Sequence, residues 1–292
     1  MECTLDRCRA GQCVYEPDDA RCEDGLFCNG PARCTASGCV LAPVRCDDGV
    51  SCTVDACDED LRACLTTPDA SLCPISHRCD LERGCVARAL VHDSSFLFEV
   101  DLPSGDLRRV APTDVALTDV ALRADGRLFG VNRGGLFAVD ETDGTARWIA
   151  SPEDQLVALD FGPDGVLYGA GVRTVVRLDS GSGAATRVGG FPPGWSASGD
   201  IAFVGDRLLV TATRTPFSTT EPDSLFEVPR DGSAAVLVGP IGVACVWGLA
   251  PFGETLYGLT CTGQLVEIDP ASGAGRVLRG GLGIQFGGAA AR

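Results

Sequence analysis

The residues best able to do chemistry in this sequence are its cysteines. Fourteen of the 16 lie between Cys3 and Cys85, a density typical either of a disulfide framework or of zinc sites. Zinc fingers and ribbons require Cys-x2-Cys pairs or nearby histidines, but no such pair occurs, and the only histidines are His77 and His92. The cysteines therefore predict disulfides and no metal site. Because disulfides persist in oxidising compartments, we expect an extracellular or cell-surface protein.

The two remaining cysteines, Cys245 and Cys261, lie far from the others. Their midpoint is Gly253, in the turn between two predicted strands, so in an antiparallel hairpin they would stand directly opposite each other. Residues that face each other in this way have Cβ atoms roughly 4.5–5.5 Å apart, which is close to the separation that a disulfide requires. We therefore predict a cross-strand Cys245–Cys261 bridge.

Catalytic groups are scarce. The sequence contains no Gly-x-Ser-x-Gly elbow, no His-Glu-x-x-His motif and no phosphate-binding loop, so we predict no catalytic residue, no enzyme and no required cofactor. Two acids, Asp119 and Asp200, fall at equivalent positions of an internal repeat, and calcium binding by them stays open. Carbohydrate cleavage would need a pair of carboxylates. The equivalent positions read Asp119, Ala158, Asp200, Trp247 and Gln285, which leaves few acids for that chemistry.

The net charge of −16 argues against nucleic acid as a partner, because nucleic-acid binding requires a basic surface. No run of 18 apolar residues occurs, so we expect no membrane span in this chain. No export signal precedes Cys3, and we expect that one has been removed from a longer precursor. We also expect a monomer.

Residues 1–86 form the first predicted domain, a disulfide-rich and loop-dominated segment. Its aromatic content is too low for a core, so cross-links must supply the stability. Two stretches are near copies, Cys3-Thr-Leu-Asp-Arg-Cys8 and Cys52-Thr-Val-Asp-Ala-Cys57. They resemble the Cys-Thr-x-Asp-Cys repeats of slime-mould extracellular-matrix proteins, which also recur in bacterial surface proteins. The resemblance implies an extracellular spacer or matrix element, and the connectivity of the disulfides stays open.

Residues 87–292 form the second predicted domain, which contains an internal repeat. Its anchor, Leu97-Phe-Glu-Val-Asp101, returns four times at spacings of 39, 39, 50 and 40 residues. Each copy is followed by a glycine and holds four short β segments, which is the period of a β-propeller blade. The pattern Asp-Val-Ala followed by Asp-Gly and Leu-Phe-Gly-Val, at Asp119–Val131, resembles YVTN- and NHL-type propeller repeats. That resemblance implies a fold and no particular ligand.

Counting the repeats predicts an all-β, five-bladed propeller. Inner strands begin near residues 117, 156, 199 and 245, and a fifth near Gly283 has no strands after it. Ala89–Asp93 aligns without a gap on Leu128–Asn132, at an offset of 39 residues. Residues 88–110 therefore supply the outer strands of the blade whose inner strand is at the other end of the chain. The N-terminal strands close the last blade, and no sheet edge stays open.

Two long connections point to a ligand site. Blade three is about ten residues longer than its siblings, within Thr213–Asp223, and the segment Gly190–Gly199 is also loop-like. Both connections emerge on the same face of a propeller and would bring three aromatic side chains together. With two inner-strand residues, the predicted ligand-binding set is Phe191, Trp195, Phe217, Asp200 and Trp247.

These observations favour a surface binding or adhesion module that captures a glycan or protein ligand at the blade-three loops. Two alternatives stay open. One is a structural matrix or stalk protein without a ligand site, which would have a closed, featureless face. The other is a carbohydrate-active enzyme, which would need two or more convergent carboxylates in the propeller channel.

Overall fold

The fold was analysed in a computed structural model, which describes residues 3–73 and 77–291. Internal contacts divide the chain into two units, Met1–Val86 and Ala87–Arg292. Both are built from β-strands. No helix within the described ranges is both long and apolar enough to cross a membrane.

The first unit consists of short β-hairpins held by disulfides. Its strands are β1 (Thr4–Arg9), β2 (Gln12–Pro17), β3 (Ala32–Thr35), β4 (Gly38–Leu41), β5 (Thr53–Asp58), β6 (Ala63–Pro68) and β7 (His77–Asp80). Three hairpins form from β1 with β2, β3 with β4 and β5 with β6, and two single-turn 3-10 helices lie at Asp19–Arg21 and Ala70–Leu72.

The core of this unit is small. One buried cluster contains only Cys3, Cys22 and Ala32, while side chains such as Tyr15 and Leu61 are exposed. Seven disulfides cross-link the unit instead, and its fourteen cysteines are all paired. Cross-linking therefore replaces apolar burial as the main constraint on the chain.

The second unit is a five-bladed β-propeller, as the repeat predicted. Each blade is a four-stranded antiparallel sheet, and we call its strands A to D from the inside outwards. Blade five takes its strands B to D from β8 (Gly84–His92), β9 (Phe96–Leu102) and β10 (Leu107–Pro112). Blade one comprises β11 (Asp119–Leu122), β12 (Leu128–Asn132), β13 (Gly135–Val139) and β14 (Ala146–Ala150). Blade two comprises β15 (Leu156–Phe161), β16 (Leu167–Gly171), β17 (Thr174–Leu178) and β18 (Ala185–Gly190).

The two remaining blades follow the same order. Blade three comprises β19 (Ser196–Val204), β20 (Arg207–Thr213), β21 (Pro222–Val228) and β22 (Val236–Ala244). Blade four comprises β23 (Val246–Phe252), β24 (Thr255–Thr260), β25 (Leu265–Ile268) and β26 (Gly275–Arg279). Strand A of blade five is β27 (Gly288–Ala291).

The ring closes by pairing the two ends of the propeller sequence. Strand β27 lies antiparallel to β8, with Gly288 opposite His92 and Ala291 opposite Ala89. This pairing confirms the prediction that residues 88–110 complete the blade whose inner strand comes last. Closure gives strand B of blade five a partner on both sides.

The blades pack face to face through apolar side chains. One cluster joins Val131 and Leu136 of blade one to Leu159, Leu167 and Val176 of blade two, and all five are buried. The turns between strands C and D contribute to this packing through glycines with positive φ. A Cβ atom at Gly144 would lie 1.6 Å from the backbone oxygen of Pro112 in the preceding blade, so no other residue fits there.

Candidate functional site

A cavity of about 460 Å³ opens where the five inner strands begin. For every blade, the wall of the cavity includes residues from the start of strand A or from the connection that leads into strand A. The cavity therefore lies at the mouth of the central channel. The B–C turns of blades one, three and five reach the same mouth. The lining residues are Asp93, Ser94, Leu117, Thr118, Arg133, Val157, Ser198, Gly199, Phe217, Trp247, Gly283, Ile284, Gln285, Phe286 and Gly287. We call this space the channel-mouth cavity.

Trp247, at the start of strand A in blade four, presents a polar atom without a partner. Its indole is partly exposed, but Nε1 is buried and finds no hydrogen-bond acceptor among the described residues. Buried donors are rarely left unpaired in folded proteins, and such exceptions mark places where a ligand or water is bound.

The Cys245–Cys261 bridge fixes the strand that carries Trp247. The two cysteines are bonded, as predicted, with Cα atoms 5.6 Å apart at the end of the β23–β24 hairpin. They stand opposite each other because of a register shift between Val246 and Gly248, since the turn itself is centred between Gly253 and Glu254. The Cys261 amide also donates a hydrogen bond to the Cys245 carbonyl at 3.0 Å. Close packing against blade three limits the strand further, since a Cβ atom at Gly199 would lie 2.5 Å from the Cα atom of Trp247.

Phe217 is the aromatic residue that the long blade-three connection contributes to the cavity. It lies in the left-handed region at φ +56°, and the Arg133 guanidinium is stacked over its ring at 4.9 Å. The loop is held by Glu221, whose carboxylate accepts hydrogen bonds from the amides of Arg214 and Thr215 at 3.1 and 2.9 Å. The lengthened loop is thus an ordered part of the cavity rim.

Phe191 and Trp195 lie elsewhere on this face and are not lining residues of the cavity. Both are half-buried and pack against the apolar cluster of blades two and three. The Trp195 ring meets Phe226 edge-on at 4.8 Å and is covered by the Arg214 guanidinium at 4.6 Å. Phe217 packs against the same cluster but also lines the cavity, as Trp247 does, whereas Phe191 and Trp195 only cover the core.

Asp119 and Asp200 are fully buried and lie outside the cavity wall. Each joins its own inner strand to the next one: Asp119 accepts a hydrogen bond from the Leu159 amide at 2.6 Å, and Asp200 one from the Leu249 amide at 2.7 Å. Burial raises the pKa of Asp119, and the charge of Asp200 raises it further. Burial likewise raises the pKa of Asp200. Protonating one of the pair permits a hydrogen bond between the two carboxyl groups.

These aspartates are not grouped with a third metal-binding side chain in the part of the chain that the structure describes. One exposed carboxylate group, Asp47, Asp48 and Asp55, does have ligand atoms close enough to share an ion. Its oxygens already accept hydrogen bonds from neighbouring amides, including those of Gly49 and Val50 at 2.8 Å. This pattern is that of capped turns, as expected for Asp-Asp-Gly sequences.

The alignment of inner-strand positions requires a correction. Trp247 and Gln285 were assigned to the position of Asp119, but the strand register places Gly248 and Gly288 there. A register shift between Val246 and Gly248 causes the first error. Gly288 tolerates no side chain there, because a Cβ atom would lie 2.0 Å from Oδ1 of Asp119.

The sequence alone does not single out three further polar residues of the propeller, the half-buried Asp160 and the fully buried Asp223 and His92. Asp160 accepts a hydrogen bond from the Phe203 amide at 2.8 Å, and Asp223 one from the Val246 amide. Burial raises the pKa of both carboxyl groups to about 7. His92 is fully buried, which lowers its pKa. An acid inside an apolar run, as in Leu-Val-Ala-Leu-Asp160-Phe, was the available signal for Asp160.

No protein-family model matches this chain. The psiQ protein of Dictyostelium discoideum is 31% identical to it, over 23% of this chain and 10% of psiQ, so the chain spans a tenth of that relative. Among solved structures, a chain of a nidogen–laminin complex is 10% identical, with 70% of this chain and 84% of that chain covered and a TM-score of 0.49. A gluconolactonase from Xanthomonas campestris, XC5397, is 14% identical, with 86% and 81% covered and a TM-score of 0.46. These structural likenesses are too distant to indicate a ligand.

Proposed function

We propose that this chain is an extracellular or cell-surface binding protein whose propeller captures a glycan or a protein ligand in the channel-mouth cavity. The observation that carries the proposal is Trp247, a partly exposed indole whose N–H group is buried without an acceptor within the described ranges. A ligand oxygen at that point would satisfy the donor while the ring supplies a stacking surface. Eight disulfides indicate an oxidising environment, in agreement with an extracellular location.

The surroundings of Trp247 support a binding role over a purely structural one. A volume of about 460 Å³ is within the range of small-ligand pockets, and Phe217 adds a second aromatic surface. Arg133 and Gln285 place exposed polar groups at the rim. Flat rings combined with a few polar groups are what sugar rings and peptide side chains require for recognition. A stalk or matrix element would need no such concave site.

We also propose that the cavity binds its ligand without catalysis. Hydrolysis of a sugar would require carboxylates that reach the ligand. Asp119, Asp160 and Asp200 are instead committed to backbone amides of neighbouring blades. Their role is the connection of inner strands.

A binding screen on matched variants tests the proposal. The full chain would be applied to a glycan array and used in pull-downs of extracellular proteins, and each hit would be titrated with the wild type, Trp247→Ala and Trp148→Ala. Trp148 is a suitable control because its side chain is 60% exposed on the outer strand β14 and is not a lining residue.

Trp247→Ala is expected to weaken binding by about 1–3 kcal/mol, or roughly 5- to 150-fold, whereas Trp148→Ala should leave the affinity unchanged. Equal affinity of the wild type and Trp247→Ala for every hit would refute the assignment of the site. The absence of any hit in both screens would refute the binding role.

A further inference from the structure

The disulfides of the first unit follow a regular ladder. The cysteines fall into successive groups of four, beginning at Cys3, Cys28 and Cys52, and a final shorter group holds Cys79 and Cys85. The first cysteine of each full group bonds to the next group, and so does the fourth. The six bridges of this kind are Cys3–Cys34, Cys28–Cys57, Cys52–Cys79, Cys22–Cys39, Cys46–Cys64 and Cys73–Cys85.

We call the first and fourth cysteines of a group its donor pair, and the two cysteines that receive bridges from the preceding group its acceptor pair. In the second and third groups the two acceptor cysteines lie on the two strands of one hairpin, directly opposite each other. Cys34 faces Cys39, and Cys57 faces Cys64. Although adjacent, these partners do not bond to each other. Each bonds back to the preceding donor pair.

The first hairpin departs from this rule. Cys8 and Cys13 occupy the acceptor positions of β1 and β2 and also stand directly opposite each other, but they are bonded together. Their Cα atoms are 4.0 Å apart, whereas those of the six ladder bridges are 5.2–5.7 Å apart. Both side chains are exposed, so the bridge is accessible to other thiols.

From this contrast we propose that Cys8 and Cys13 form an acceptor site for one further cysteine-repeat unit, which joins the array through two disulfides. The unit must carry a donor pair with the spacing seen in this chain. Cys3 and Cys22 are 19 residues apart, Cys28 and Cys46 are 18 apart, and Cys52 and Cys73 are 21 apart. A second copy of this chain does not carry a donor pair joined as one disulfide, because each of its donor cysteines is bonded to a cysteine of the next group.

The joining reaction balances without an external oxidant when the incoming donor pair arrives as a disulfide. A thiolate catalyst opens one bridge, and exchange proceeds through mixed disulfides until the Cys8–Cys13 bond and the donor-pair bond are both broken. Two new S–S bonds form, one from each donor cysteine to Cys8 or Cys13. The thiolate is released unchanged, and no net electrons are transferred.

An added repeat tests this proposal on the full chain. A second copy of residues 3–27 inserted directly before Cys3 places a new donor pair at nearly the separations found in the existing ladder. After oxidative folding, non-reducing peptide mapping by mass spectrometry would give the connectivity. We expect the first and fourth cysteines of the copy to bond to Cys8 and Cys13 respectively, and the copy's own hairpin cysteines to bond to each other. The Cys245–Cys261 bridge reports that the chain has folded.

Two controls make the result decisive. A copy whose first and fourth cysteines are changed to serine must leave the Cys8–Cys13 bridge in place. In a second experiment the same segment is oxidised and supplied as a separate peptide in a glutathione buffer. This experiment tests whether another chain can supply the unit. A covalent adduct at Cys8 and Cys13 means that another chain can supply it, and bonding in the fused form alone restricts it to the same chain. If Cys8–Cys13 persists in both experiments, the proposal is wrong.

Discussion

The carboxylate of Asp200 accepts a hydrogen bond at 2.7 Å from the backbone amide of Leu249, 49 residues further along the chain and on the inner strand of the next blade. Its other oxygen accepts one from the Ile201 amide at 2.6 Å. Asp119 and Asp160 connect blades one to two and two to three in the same way. Three of the five junctions between inner strands are thus bridged by an aspartate carboxyl group.

Removing the Asp200 carboxyl group should destabilise the propeller. Asp200→Ala leaves the Leu249 and Ile201 amides buried without acceptors, and we expect a loss of roughly 2–4 kcal/mol in the free energy of unfolding. Asp200→Asn retains one acceptor oxygen and should lose less than half as much. Urea unfolding followed by tryptophan fluorescence measures both variants, because all three tryptophans belong to the propeller. Equal losses in the two variants would show that the hydrogen bonds do not matter.

Stability of the propeller should fall as the pH rises from about 4 to about 7. Burial raises the pKa of Asp160 to about 7, so the folded state keeps a proton that the unfolded chain loses near its ordinary pKa of 3.8. The contribution of this proton to the free energy of unfolding is complete below pH 4. It is lost as the pH rises through 7, at up to roughly 1.4 kcal/mol per pH unit. The exposed aspartates whose pKa is lowered, such as Asp125, titrate below this window.

Thermal unfolding at intervals from pH 4.5 to pH 8 checks this prediction. The melting temperature should decrease across the range, and Asp160→Asn should flatten its slope. The variant separates the effect of this group from general repulsion within a chain of net charge −16. An unchanged slope in Asp160→Asn would rule out this carboxyl group as its source.

Trp195→Ala should reduce stability more than it reduces binding. The ring packs on Phe226 at 4.8 Å and lies under the Arg214 guanidinium. Truncation of a half-buried indole should lower the free energy of unfolding by about 2–3 kcal/mol, less than for a fully buried tryptophan. Circular dichroism during urea unfolding measures the loss. A tenfold loss of ligand affinity at unchanged stability would instead assign Trp195 to the binding site.

Gly288→Ala should prevent proper closure of the ring. The new methyl group would lie 2.0 Å from Oδ1 and 2.8 Å from Cα of Asp119, so strand β27 or β11 must move. We expect a loss of roughly 3 kcal/mol or more. Gly280→Ala is the matched control, since its nearest neighbour would be 3.9 Å away. Similar melting temperatures for the two variants would contradict the tight fit at the closing strand.

The fold could be predicted because its information is periodic. The 39-residue offset between Ala89–Asp93 and Leu128–Asn132 reflects equal strand lengths in two blades, and it is preserved in the observed register. The Cys245–Cys261 bridge was predictable only in part. The pairs nearest the turn, such as Phe252 with Thr255, centre it between Gly253 and Glu254, and the register shift between Val246 and Gly248 is what brings the two cysteines opposite each other.

The site could be predicted less completely, because it depends on packing between distant residues. Phe191, Trp195 and Phe217 all lie on the lengthened connections and pack against one apolar cluster, and only the folded structure shows that Phe217 alone of the three also lines the cavity. The register shift before Gly248 is a local irregularity that a repeat alignment does not contain. Disulfide connectivity was likewise inaccessible, since several pairings fit the same cysteine spacing.

Ring closure between Gly288 and His92 imposes an order on biosynthesis. Strands β8, β9 and β10 leave the ribosome early, but their inner partner β27 is translated almost 200 residues later. During that interval blade five has an open inner edge, which is the kind of surface that pairs with other chains. The cysteine-rich unit, in contrast, holds every partner for its seven bridges before the first complete blade is made. Oxidation of the array can therefore finish first, while the nascent propeller still requires protection from aggregation.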